Sequence, residues 1–174
     1  MNPIRPFRIG ILLSLFTLLF GFGLGIFFGA AEDRMKAGLK RSGEAALESV
    51  YDGDKAAMEK VVAKSWVYYK RAHLHANGLG TTSLAIILLL ALLPAGLTRC
   101  RVWTATASGL GALGYSIYWL LAGMRAPSIG STHDAKESLD WLAIPSSGLC
   151  LLGLIAAVVI VAIALFRKDA AEPE

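Results

Sequence analysis

The sequence predicts an all-α integral membrane protein: a four-helix bundle with extramembrane amphipathic helices between spans one and two. Two observations carry this. Residues 9–31, 76–97, 102–122 and 145–166 contain no Asp, Glu, Lys or Arg. Each window holds about 20 residues, and at about 1.5 Å per residue that is enough to cross a hydrocarbon core of about 30 Å. The chain is also 55% hydrophobic over 174 residues, with that content gathered into the same four blocks. A water-soluble fold would have to bury four charge-free helices of about six turns, and so short a chain has little interior in which to do so. Residues 1–174 therefore read as one membrane domain.

The N-terminal residues include Arg5 and Arg8 and no acid. The first apolar stretch follows at once and outruns the roughly 7–15 residues of a signal-peptide core, so a retained anchor is expected. Gly21, Gly25 and Gly29 recur every four residues along it. They make a bare stripe where a second helix can approach closely, within the bundle or between subunits.

Residues 32–75 form the polar helical segment. Leu47, Val50, Tyr51, Met58, Val61, Val62, Trp66 and Tyr69 follow a helical rhythm through it. Asp52, Gly53 and Asp54 break that rhythm, and Asp54 suits the N-cap of a restart. Ser42, with Glu44 behind it, suits the cap of an earlier piece. Two helices are expected outside the membrane, the second continuing into span two. Their apolar face would lie on the lipid surface, on the bundle ends or on a partner.

Pro94 should bend the end of span two, and the short turn through Arg99, Cys100 and Arg101 makes spans two and three antiparallel neighbours. In span three, Thr104, Ser108, Ala112 and Ser116 form a second small-residue stripe, and Tyr115, Tyr118 and Trp119 load the far end as an aromatic belt. Ser131 followed by Asp134 reads as a capping box for a short interfacial helix over about 132–143. Pro145 would open span four, Arg167 and Lys168 would close it, and the tail 167–174 is too polar to fold. Cys100 and Cys150 fall on different sides of the midplane and should not pair.

Four spans put both termini and the Cys100 loop on one side. The short flanks holding Arg5, Arg8, Arg99, Arg101, Arg167 and Lys168 favour the cytoplasm for that side, in an inner or plasma membrane of bacterial type. The opposite loops hold eleven Lys and Arg, which argues the other way. The formal charge of +4 and pI near 9.2 reflect these flanks, so no nucleic-acid role is read from them.

Any chemistry is expected in residues 66–80, WVYYKRAHLHANGLG. His73 and His75 lie here, and four spans place His133 on the same membrane face. Neutral imidazole is the commonest protein metal ligand, so His73, His75 and His133 are the candidate ligands for copper, zinc or non-covalent haem b, with Met124 a further copper ligand. On a helix, residues two apart point about 200° from each other, so His73 and His75 would serve different faces. Tyr69 and Asn77 stand one turn either side of His73 and could fix its ring, as Asp134 could beside His133. The competing readings of His73 are an interfacial side chain bonded to Tyr, Asn or water, and a proton relay.

No CxxCH, GxxxxGK[ST], HExxH or GxSxG sequence occurs, and no ionisable side chain lies mid-span. Two function classes remain. One is a non-catalytic accessory or scaffold subunit that packs against lipid and other membrane subunits or itself. The other is a metal- or haem-binding redox protein built on the histidines.

Overall fold

The computed structural model describes residues 3–94 and 96–166. Among these residues there are helices and turns and no strand. After a single 3-10 turn at Arg5–Phe7 come α1 (Arg8–Ala45), α2 (Leu47–Val50), α3 (Lys55–Leu92), α4 (Thr98–Ile129), α5 (Thr132–Glu137) and α6 (Asp140–Phe166). Arg167, Lys168 and the expected tail lie outside the described residues.

Contact registers give the directions. Leu18 meets Gly80 and Gly43 meets Met58, so α1 and α3 are antiparallel. Ser83 bonds to Ser108, while Gly123 meets Tyr69, so α3 and α4 are antiparallel. Gly111 meets Cys150 and Gly114 meets Ser146, so α4 and α6 are antiparallel too. α4 is the hub: it packs on α1, α3 and α6, whereas α6 touches α3 only slightly.

Among the described residues, three helical stretches are long and apolar enough to cross a membrane: Arg5–Ala45, Lys55–Leu92 and Asp140–Phe166. α4, read from sequence as the third span, falls short of that apolarity. The reason is its position. A helix packed on three sides needs small residues rather than long apolar ones. Thr104, Ser108, Ala112 and Ser116 are all buried. A Cβ on Gly109 would lie 2.9 Å from the Gly10 carbonyl oxygen, and one on Gly111 would lie 2.7 Å from that of Ser146. Ser108 presses directly on Gly153. Large apolar side chains face outward instead: Leu12, Phe16, Leu19, Phe22 and Ile26 along α1, and Leu151, Leu152, Ile155 and Val158 along α6, are all exposed.

Several boundaries differ from the sequence expectation. Ser42 caps nothing, because α1 runs through it; the break in this helix is at Ala31 (φ −145°, ψ 26°), where the apolar stretch ends. Asp54 does cap α3, accepting from the Ala57 N–H at 2.9 Å, after a tight turn with left-handed Asp52 and Gly53. Helix α3 then continues unbroken through the histidine segment but stops at Leu92, short of residue 97. α4 runs seven residues beyond 122 and holds Pro127 inside its last turn. Ser131 caps α5 by accepting from the Asp134 N–H at 3.2 Å. That helix ends at Glu137, and α6 starts at Asp140, so Pro145 lies inside it rather than at its start. Cys100 and Cys150 are unpaired.

Two long-range bonds close helix ends. Arg101, expected as a surface flank charge, is buried; its Nη1 donates to the carbonyls of Leu90, Leu93 and Pro94 at 3.1, 3.0 and 3.2 Å. These are carbonyls that the end of α3 leaves without helical partners, and a cation there also meets the negative end of the helix dipole. At the other end of α4, the Tyr51 hydroxyl donates to Pro127 O at 2.7 Å, tying the α2 turn to a helix 76 residues away. Burial pushes the Tyr51 phenol up, which keeps it a donor.

Replacing Arg101 with Met should lower unfolding free energy by about 2–4 kcal/mol, because three carbonyls at the end of α3 lose a charged donor whose own side chain is buried. Tyr51→Phe should cost about 1 kcal/mol, the net worth of one hydrogen bond. Thermal unfolding in detergent, followed by circular dichroism, reads both; an unchanged midpoint for Arg101→Met would show the cap to be idle.

Candidate functional site

Helix α3 presents its two histidines to different neighbours. His73 faces α1. A Cβ on Gly25 would lie 2.8 Å from His73 Cε1, so the ring occupies the space that this glycine leaves bare. Phe28 meets the ring edge-on at 5.6 Å between centroids. His73 Nδ1 lies 2.8 Å from Gly21 O. A carbonyl only accepts, so Nδ1 carries the proton and donates. Asn77 Nδ2 donates to the His73 backbone carbonyl at 3.0 Å and sits 3.3 Å from the ring nitrogen, while its Oδ1 is buried without a partner. Tyr69, the other expected support for this ring, packs against Trp66 and the Gly123 backbone instead. No hydrogen bond joins it to His73 among the described residues.

The glycine stripe therefore does two things. Gly21 and Gly25 form a notch for the His73–Asn77 edge of α3. Gly29 meets nothing within 4 Å.

His75 faces α4. Its Nδ1 donates to Arg71 O at 2.7 Å. The ring lies nearly parallel to Trp119, with 5.9 Å between centroids, and edge-on to Tyr115 at 5.2 Å. The Arg71 guanidinium covers the same cluster, 4.8 Å from the Trp119 ring and 5.5 Å from Tyr68. Such cation–π contacts contribute about 0.5–2 kcal/mol each. Trp119 is buried, and its indole N–H has no partner among the described residues. Tyr115 and Trp119, expected as an aromatic belt, instead pack on α3 with Arg71 over them. The signal for this is the register: antiparallel pairing of α3 and α4 across a short link places Trp119 beside residues 71–75.

His133 belongs to neither group. It is exposed on α5 with Nδ1 3.5 Å from Glu137 Oε1. Its metal-capable neighbours are Asp134 and Glu137, and ligand atoms of these three lie within 4.8 Å of one another. His73, His75 and His133 form no such group among the described residues. The expected three-histidine face is thus divided among α1, α4 and an exposed helix, and this geometry does not support one shared copper, zinc or haem centre. Met124, near the end of α4, is exposed.

No family model, curated protein or solved structure matches this chain. One imidazole fastens α1 to α3 through a backbone carbonyl. The other lies in an aromatic cluster, with its second nitrogen uncommitted to any protein group.

Two glycine substitutions separate the notch from the rest of the stripe. Gly25→Leu should destabilise by about 1–3 kcal/mol, because the His73 ring must move. Gly29→Leu should fall within about 0.5 kcal/mol of the parent, having open space around it. Denaturant melts of the two variants measure the difference, and equal effects would remove the assigned role of the notch.

Proposed function

We propose that this chain is an integral membrane protein whose four long helices cross the bilayer as a four-helix bundle, and that it serves as a non-catalytic accessory or scaffold subunit packing against other membrane helices. One observation carries the reading: large apolar side chains cover the outer faces of α1 and α6, while Ser, Thr, Gly and Ala make the close mid-helix contacts of α4, between an aromatic cluster at Trp119 and an apolar one at Ile87 and Leu90. Water would penalise that surface heavily, at about 25 cal/mol per Å² of exposed apolar area, whereas lipid does not. Lipid also removes the hydrophobic drive between helices, so close backbone contact through small residues takes its place. Helix α4 fits as the fourth crossing because its three neighbours screen it from lipid.

The accessory role is supported by where the polar groups go. Arg101 and Tyr51 close helix ends, and His73 fastens two helices; these side chains serve assembly. The outer apolar faces are then the surfaces left for neighbouring subunits. Both termini and Cys100 are assigned to the cytoplasm.

Alkaline carbonate washing should leave the chain in the membrane pellet, and release into the supernatant would overturn the bilayer assignment. Exposed Cys100 should react with a membrane-impermeant maleimide in inverted vesicles and not in intact cells, with Cys150 replaced by Ser. The reverse pattern would invert the topology. For the scaffold role, a photo-crosslinker at Phe22, which is 65% exposed on α1, should yield adducts with membrane polypeptides in native membranes. Adducts with lipid alone would count against it.

A further inference from the structure

Helices α3 and α6 lie on neighbouring sides of α4 but scarcely touch each other, and a cleft of about 340 Å³ opens between them. His75 and Tyr115 line one end of it, and Ile86 and Leu154 line the other. The α3 wall from His75 to Ile86 is about 16 Å long at the helical rise. Most polar groups along the cleft are already satisfied. Thr82 donates to Gly78 O at 2.8 Å, Ser83 to Ser108 O at 3.0 Å, and Ser147 to Ala143 O at 2.7 Å. Ser108 Oγ, midway along the cleft, has no partner among the described residues, and at its end His75 and Tyr115 also have free capacity. With Nδ1 of His75 committed as donor to Arg71 O, Nε2 of the neutral ring can only accept. The Tyr115 hydroxyl has no hydrogen-bond partner among the described residues. The two rings are 5.2 Å apart. One end of the cleft thus offers an acceptor beside a hydroxyl, and beyond it small hydroxyl side chains alternate with the apolar Leu79, Ile86, Leu151 and Leu154.

We infer that the α3–α4–α6 cleft binds a membrane-soluble amphiphile with a hydroxyl head, which donates to His75 Nε2 and accepts from Tyr115 while its tail lies along Leu79, Ile86 and Leu154. The volume falls in the usual range for small-molecule sites, and an apolar cavity with a few polar groups at one end is their usual composition. The inference rests on the bilayer assignment, since the cleft draws its ligand from lipid. Two sources share this chemistry: a reduced quinone and a glycerolipid with a free hydroxyl.

The test uses the full chain in phosphatidylcholine nanodiscs under argon. A decyl-tailed hydroquinone and 1,2-dioctanoylglycerol are titrated separately, with Trp fluorescence as the readout because Trp119 stacks on His75. Saturable binding of one probe supports the site and identifies its source. The O-methylated form of that probe, which cannot donate, should bind about tenfold more weakly, as expected for one lost hydrogen bond to a half-buried acceptor. His75→Phe should weaken the hydroxyl form and leave the methylated form unchanged, whereas Tyr115→Phe removes a donor from which either oxygen can accept and should weaken both forms. Equal binding of the two forms to the unaltered chain, or saturable binding of neither probe, overturns the inference while leaving the bilayer assignment intact. A chain that fails to enter the discs overturns both.

Discussion

The packing of α4 against three neighbours is the constraint on which the other features depend. Helix axes can approach this closely only where no side chain intervenes. Gly109 and Gly111 meet backbone carbonyls, and Ser108 faces Gly153. Contacts of this kind yield little from apolar burial and much from van der Waals fit. They also explain why α4 is the least apolar of the long helices and why the bulky residues of α1 and α6 point outward. A volume increase at one of these glycines would push apart two helices, with consequences well beyond a local clash.

Side-chain bonds to backbone carbonyls fix the register that this packing needs. Arg101 joins the end of α3 to the start of α4, Tyr51 joins the polar hairpin to the end of α4, and His73 joins α3 to α1. Each donor finds its acceptor where a helix ends or where glycine exposes the backbone. Small-residue surfaces alone are slippery, because many registers bring similar atoms together. A hydrogen bond at a single position selects one register.

Much of the secondary structure was legible in the sequence. The caps at Asp54 and Ser131 were visible because N-capping depends on local chemistry. The different directions of His73 and His75 followed from helical periodicity. Tertiary events were not legible. Arg101 looked like any flanking basic residue, since only the fold shows three carbonyls around it. Ser42 had the chemistry of a cap, yet the chain stays helical across it because Leu39 and Gly43 pack into the α3 face. The equal spacing of Gly21, Gly25 and Gly29 hid different surroundings, because the packed face of α1 drifts away from a strict four-residue repeat and the helix breaks at Ala31. The histidines could be placed along their helices but not relative to one another, because a single membrane face is far wider than a coordination sphere.

The modest apolarity of α4 bears on biogenesis. A segment so rich in Gly, Ser and Thr gains little from partitioning into lipid by itself. In a bilayer, its entry would depend on α1 and α3, which precede it from the ribosome and already offer two of its three contact surfaces. The α6 face would be covered last. Until then the Ser108 side of α4 would be exposed in the nascent chain, making the interval between synthesis of residues 129 and 166 the point at which chaperone or insertase contact matters most.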